Sequence, residues 1–434
     1  MPHGCPSAAT RAQTSGPMNN ANLAISTIAA LATLGVLIRP FKLPEAVWAA
    51  AGAVLIVVFG LLPVPDALRA IANGNDVYLF LTGMMLLSET ARREGLFDWV
   101  AGHAVHHAAG SPRRLFLLVY GVGIVVTTFL SNDATAVVLT PAVFAAARKA
   151  RAEPLPYLFI CAFIANAASF VLPISNPANL VMYGDHVPPL GQWLASFALP
   201  SLLSISATYV ALRFSQRRHL EQRCDVAPPP DALSPGGWTA LLGLSATAVA
   251  LTAVSLLDKP LGLPTCLLGV LTTAAVLLRG RSTPWAVVRD ISWSVLPLVA
   301  GLFVLVEALN KAGVTPMLAA ALQDSVQAGE RGAAAGAGVL LAVGSNLVNN
   351  LPAGLIASTT IAHAHPPQIV VDALLIGVDL GPNLSITGSL ATILWLSALR
   401  REGEDVGFLQ FLKVGALVMP PALLLAIGAR LLMG

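Results

Sequence analysis

Most of this chain is written in apolar runs long enough to cross a bilayer, and four of those runs are broken near their centres by polar residues. A helix needs roughly 20 residues to span hydrocarbon ~30 Å thick. Uninterrupted candidates lie near 21–38, 45–63, 76–91, 190–213, 238–257, 262–278, 291–310 and 408–432. Stretches 156–184 and 368–399 are apolar but interrupted, and 115–147 and 332–362 are Gly/Ala-rich and broken midway. Composition excludes a soluble alternative: charged residues make up 11% of the chain, against roughly 25% in soluble domains. Residues 1–20 are polar, lack the apolar core of a signal peptide, and are expected to form a disordered tail.

Charge placement predicts the topology. If 115–147 and 332–362 enter and leave on one side as re-entrant hairpins, ten spans remain. With both termini outside, the inside loops collect Arg39, Lys42, Arg92, Arg93, Arg113, Arg114, Arg148, Lys149 and Arg151. They also collect Arg213, Arg217, Arg218, Arg223, Arg279, Arg281, Arg289, Arg400 and Arg401, while the outside loops keep only Arg69, Lys259, Lys311 and Arg331. That asymmetry is the positive-inside pattern of a plasma-membrane protein.

The chain also repeats itself. Asp76-Val77-Tyr78 through Glu89 to Gly95 has a counterpart in Asp290-Ile291-Ser292 through Glu307 to Gly313. The hairpins are expected to break at Ser131-Asn132-Asp133 and at Ser345-Asn346 followed by Asn349-Asn350-Leu351-Pro352. The interrupted spans break at Pro173-Ile174-Ser175-Asn176-Pro177 and at Asp379-Leu380-Gly381-Pro382-Asn383. Five crossings per unit is odd, so the units have opposite orientation, the inverted-repeat plan of secondary transporters. The expected fold is therefore an all-α integral membrane protein: tail 1–20, first inverted repeat 21–214, cytoplasmic linker 215–237 and second inverted repeat 238–434.

Backbone that leaves helical geometry in a membrane survives only where it lines a polar cavity or packs on protein. The four matching breaks thus predict a substrate site built from Asn132, Ser175, Asn176, Asn346, Asn349, Asn350, Asn383 and Ser385. None of the breaks carries Lys or Arg, and Asn and Ser both donate and accept, which suits a small, neutral, hydroxylated solute. Capping of half-helices is the competing role for each residue taken singly. Asp133 and Asp379 are carboxylates at membrane depth, where ionisable groups are costly and usually functional, so they are the proton-coupling candidates. Glu89 is expected to pair with Arg92 or Arg93, and Glu307 with Lys311.

Other features say less. Cys5, Cys161, Cys224 and Cys266 have no paired spacing, so neither a disulfide framework nor a metal site is expected. His103, His106 and His107 read as a solvated face of an amphipathic stretch. Gly332–Gly338 lacks the GK[ST] of a phosphate loop. The chain reads as a transporter rather than an enzyme, with no cofactor and no nucleic-acid partner.

Leu130-Ser131-Asn132-Asp133-Ala134-Thr135-Ala136 with Leu139-Thr140-Pro141, and Ile174-Ser175-Asn176-Pro177-Ala178-Asn179-Leu180, resemble the ArsB-type arsenite efflux permeases of the ion transporter superfamily. So do Asn349-Asn350-Leu351-Pro352 and Asp379-Leu380-Gly381-Pro382-Asn383 through Gly388-Ser389-Leu390-Ala391-Thr392 to Trp395. The hairpin-tip motifs are shared widely in that superfamily. The resemblance implies proton-coupled export of arsenite and antimonite across the bacterial inner membrane, either alone or as the membrane partner of an ArsA-type ATPase. A proton- or sodium-coupled carrier of dicarboxylates on the same fold is the alternative.

Overall fold

The computed structural model describes residues 20–434 except 185, 186, 222, 223, 227 and 282, so the tail expectation falls almost wholly outside it. Among the described residues, seven helices are long and apolar enough to span a membrane: Asn20–Ile38, Pro112–Leu130, Leu190–Ser215, Pro235–Leu256, Gly262–Gly280, Glu330–Val348 and Phe408–Met433. Pro284–Asp290 and Val295–Lys311, bent by 44°, make an eighth if taken together. Their outward faces carry side chains such as Leu31, Val210, Leu271 and Leu278, all exposed. Exposed leucine and valine on this scale are tolerable only where lipid is the solvent.

Two long helices are gripped where glycine lets backbones touch. A Cβ placed on Gly83 of Asn75–Arg93 would lie 2.3 Å from the Thr265 carbonyl, and one on Gly269 would lie 2.6 Å from the Gly83 carbonyl. Gly301 of Val295–Lys311 meets the backbone of Ala49 in Glu45–Val58 in the same way, at 2.7 Å. Such small-residue crossings give close packing between helices in lipid. Asp76 reinforces the first crossing by accepting from the Gly262 N–H at 2.8 Å, at the head of Gly262–Gly280.

Ion pairs close the ends of these helices. Arg92 donates to Glu89 at 2.6 Å, as expected, and Arg93 reaches both Glu89 and Asp290, the latter at 3.1 Å. Lys311 differs from expectation: it pairs with Asp66 on the short helix Val64–Ala72 rather than with Glu307. Glu307 instead lines a cleft beside Asn73, Phe303 and Thr359. Lysine at a helix C-terminus can reach past its own helix, and Asp66 is offered by the neighbour.

Aromatic side chains pack the elements around the breaks. Phe159 on Leu155–Ala167 stacks on Trp395 of Leu390–Arg401, Phe163 stacks on Phe411 of Phe408–Met433, and tilted contacts join the two pairs. The indole N–H of Trp395 donates to the Leu158 carbonyl at 2.8 Å, so this aromatic column is pinned as well as packed.

Candidate functional site

The first break follows Leu130. Ser131 holds φ 132° and ψ 164°, a region that costs a non-glycine residue about 1–3 kcal/mol. Beyond it come the turn Asn132–Ala134, a π-helical segment Thr135–Leu139 and the helix Thr140–Lys149. Pro141 cannot donate to the turn before it; the wider π turn accommodates that loss, and the Thr140 hydroxyl donates to the Thr135 carbonyl at 3.3 Å. Thr127 and Thr135 hydroxyls meet at 2.8 Å across the break. Eight residues of straight helix would put them about 12 Å apart, so the chain folds back on itself.

The break after Val348 turns at Asn349, with φ 75° and ψ 153°. Helix Glu330–Val348 runs through Ser345 and Asn346, where the sequence predicted a break. Both side chains bond the Ala342 carbonyl one turn back, at 2.9 and 2.8 Å, an arrangement a helix accommodates. The first interrupted span leaves α-helix at Ala167, earlier than expected, and resumes at Pro177–Tyr183; the second runs Gln368–Leu380 and resumes at Leu390.

Each resuming arm is capped by its own preceding residue. Ser131 accepts from Ala134 N–H at 3.4 Å, Asn176 from Ala178 at 3.0 Å, Asn349 from Leu351 at 3.4 Å and Ser389 from Thr392 at 3.1 Å. Direct bonds tie the four places together. The Ser175 hydroxyl donates to the Thr128 carbonyl at 3.0 Å, Asn350 N–H to the Gly388 carbonyl at 2.8 Å, and Asn176 Nδ2 to Asp379 Oδ1 at 2.7 Å.

Hydrogen bonding divides the ten sequence-predicted residues. Ser175 also accepts from Leu172 N–H. Asn346 donates to Ala342 and Gly381 carbonyls and accepts from Ser385. Asn383 donates to the Phe163 carbonyl at 3.1 Å and accepts from Asn166 at 3.0 Å. Asn349 donates to the Thr387 carbonyl besides capping. These residues spend their polar atoms inside the protein. By contrast, Asn132 Oδ1, Asn350 Oδ1 and Asp379 Oδ2 are buried with no protein partner. Buried polar atoms are normally satisfied, so these three are where an added ligand atom would be accepted. Asp133 opens into a cleft lined also by Ser88, Glu89, Ser131, Asp290 and Ser292.

Sequence reasoning missed Asn166, Asn179 and Ser389 as site residues. Asn179 donates to the Ser169, Leu172 and Pro173 carbonyls, holding the irregular 168–176 segment together. Asn166 sits in Phe-Ile-Cys-Ala-Phe-Ile-Ala-Asn, a lone amide in an apolar run, and that isolation was the available signal. Among the described residues no group of His, Cys, Asp and Glu is arranged to hold a metal ion.

With this geometry in place, the comparison with known proteins is decisive at the family level. The model of the citrate transporter family CitMHS matches residues 33–381. The chain belongs to that family. It is a multi-pass transport protein of the ion-transporter superfamily, of bacterial inner-membrane type, and not an enzyme. It is 27% identical over 405 residues to a protein of Escherichia coli (strain K12) named "Arsenical pump membrane protein", covering 88% of this chain and 92% of that one. It is 25% identical over 415 residues to an uncharacterized transporter of Mycobacterium tuberculosis. The crystal structure of the Alcanivorax borkumensis YdaH transporter shares the fold, with TM-score 0.59, 15% identity, and coverage of 95% of this chain and 98% of that one.

The family match overturns the arsenite expectation. The physical reason lies in the motifs that carried it. Ser175, Asn346, Asn383 and Ser385 are bonded within the protein, so they encode how the breaks are built rather than what they hold. Arsenite and antimonite as cargo, and arsenic resistance as the role, are therefore set aside, and the ArsA-type ATPase partner rested on the same resemblance.

Proposed function

We propose that this protein is a proton- or sodium-coupled secondary carrier of small carboxylates, working by alternating access. The observation that carries the reading is the meeting of capped arm starts, which favour an anion, beside the unpartnered buried oxygens of Asn132, Asn350 and Asp379, which favour a cation or a donor hydrogen. Three of the arms, 132–149, 350–364 and 390–401, are long enough to present a partial positive end. Helix N-termini are general anion sites, and they supply what the lack of Lys and Arg in the breaks withholds. The membership in a citrate transporter family agrees with this chemistry.

In this reading Asn132 and Asn350 contact the substrate with their side-chain amides, Asp379 holds the coupling cation, and Asp133 passes it between the cleft and the site. Asn176 orients Asp379 through its 2.7 Å bond. Ser175, Asn346, Asn349, Asn383 and Ser385 shape the breaks. The inverted-repeat plan, with ten spans, two re-entrant hairpins and a linker at 215–237, is part of the same proposal. Its support is the matched pair of glycine crossings and the matched tips Ser131 and Asn349. The clefts beside Glu89 and Glu307 would then be the two access routes.

The test is uptake of radiolabelled citrate and succinate into proteoliposomes under an imposed proton or sodium gradient. Gradient-driven accumulation of either acid is the expected result. A purified, monodisperse protein that moves neither acid under either gradient would sink the proposal.

A further inference from the structure

Two contacts at the centre of the protein are counterparts. One first arm begins at Leu155 and the other at Gln368. Counting equal steps, the twelfth residue is Asn166 in one and Asp379 in the other, and the two resuming arms are preceded by Asn176 and Ser389 at equal distances further on. The observed bonds obey the same correspondence. Asn176 Nδ2 donates to Asp379 Oδ1 at 2.7 Å, and Ser389 Oγ donates to Asn166 Oδ1 at 3.3 Å. Each cap thus reaches the twelfth residue of the opposite broken span, and all four residues are at most 2% exposed. One of the two equivalent places holds a carboxylate; the other holds the amide of nearly the same shape.

We infer that position 166 is the uncharged twin of the Asp379 cation site, and that having an amide there sets how many cations move with each substrate. The inference rests on the reading of Asp379 as a coupling carboxylate. Asparagine fills the twin place with a neutral group whose Nδ2 bonds Asn383 Oδ1 at 3.0 Å, where a cation would otherwise have two facing oxygens. Other ionisable groups on the packed elements include Asp133 at the first tip, Tyr157 and Cys161 on the same arm, Arg400 and Arg401 at the far end of Leu390–Arg401, and the Asp372–Arg430 pair with Tyr183 toward the other end of Gln368–Leu380; none of these is bonded to Asp379 or Asn166. Position 166 is a positioning residue in the native protein, and the substitution that tests it makes it a cation ligand.

The experiment measures, in proteoliposomes, the citrate gradient that just balances an imposed proton or sodium gradient. Plotted on logarithmic axes, the slope of zero net flux is the number of cations per substrate. Asn166→Asp is expected to raise that slope by one. Asp379→Asn should abolish gradient-driven uptake, and the relocated pair Asn166→Asp with Asp379→Asn should restore it with the native slope. Citrate counterflow without a gradient, and monodispersity in detergent, report separately on binding and folding. Native slope in a folded, exchanging Asn166→Asp protein overturns the inference, and so does a relocated pair as uncoupled as Asp379→Asn alone. Failure of both 166 variants to fold overturns it too, since a true twin site has room for a carboxylate of the amide's shape. Should Asp379→Asn itself remain coupled, the underlying reading fails instead, and that single variant tells the two failures apart.

Discussion

Ser131 and Asn349 occupy two helix breaks in the same way: each is a non-glycine residue at positive φ, 132° and 75°, whose side chain caps the arm that follows. Strain of this type costs about 1–3 kcal/mol per residue, and the cap offsets roughly 1 kcal/mol of it. Glycine would release the strain while losing only a few tenths of a kcal/mol of capping; alanine would keep the strain and lose the cap. Glycine variants should therefore be more stable than alanine variants at both positions, by roughly 1–3 kcal/mol, as read by thermal unfolding in detergent. Equal stabilities would mean that the turn backbone is not strained in the folded protein.

A second prediction concerns a buried ion pair. Arg430 Nε donates to Asp372 Oδ2 at 2.6 Å, with the side chains 8% and 0% exposed. Tyr183 and Gln368 bond the other carboxylate oxygen at 3.1 and 2.7 Å. Removing one charge leaves the other buried and unpaired, a loss of about 3–5 kcal/mol. Asp372→Asn should lower the unfolding temperature sharply. The paired change Asp372→Leu with Arg430→Met should recover most of that loss, because well-packed apolar groups replace such pairs at little cost. A double variant no better than the single one would show that the pair is worth more than its desolvation.

Much of the architecture was legible because lipid leaves the backbone few choices. Apolar runs near 21–38, 190–213, 238–257 and 408–432 became helices within a few residues of their expected ends. The tip at Ser131 was legible for the same reason, since polar residues beside a helix break in an apolar run need a local explanation. The error at Ser345 and Asn346 arose because a polar side chain that bonds the preceding turn leaves the helix intact, and residue type alone does not distinguish it from a breaker. Asn166 was overlooked because its partners, Asn383 and Ser389, are more than two hundred residues away in sequence. Cargo was the least legible feature: the motif residues that suggested it are mostly bonded to the protein itself.

The glycine crossings give a contrast that needs no transport assay. A Cβ at Gly83 meets the backbone of Thr265 and Cys266, which cannot rotate away, whereas a Cβ at Gly336 meets nothing within 4 Å. Overpacking of this kind costs about 1–3 kcal/mol or more, while alanine in an open helical site gains up to about 1 kcal/mol over glycine. Gly83→Ala should thus reduce stability and folded yield, and Gly336→Ala should leave both unchanged or raise them. The pair is best compared by fluorescence-detected size exclusion after heating. Identical profiles would show that helices Asn75–Arg93 and Gly262–Gly280 can separate freely at this crossing.

The two carboxylates should separate in function because their surroundings differ. Asp379 is fully buried, with one oxygen held by Asn176 and the other without a protein partner. Asp133 faces the cleft shared with Glu89 and Asp290, which are themselves neutralised by Arg92 and Arg93. A group at the end of an open cleft can exchange a cation with water, whereas an enclosed one must wait for the surrounding body to move. Asp133→Asn is therefore expected to slow gradient-driven uptake while leaving the cation-to-substrate ratio unchanged; Asp379→Asn should remove gradient dependence but retain exchange of labelled for unlabelled citrate. Initial rates and counterflow measured on the same vesicles distinguish these outcomes. If Asp133→Asn alters the ratio, the two carboxylates act as one coupled site, and the division drawn from their burial is wrong.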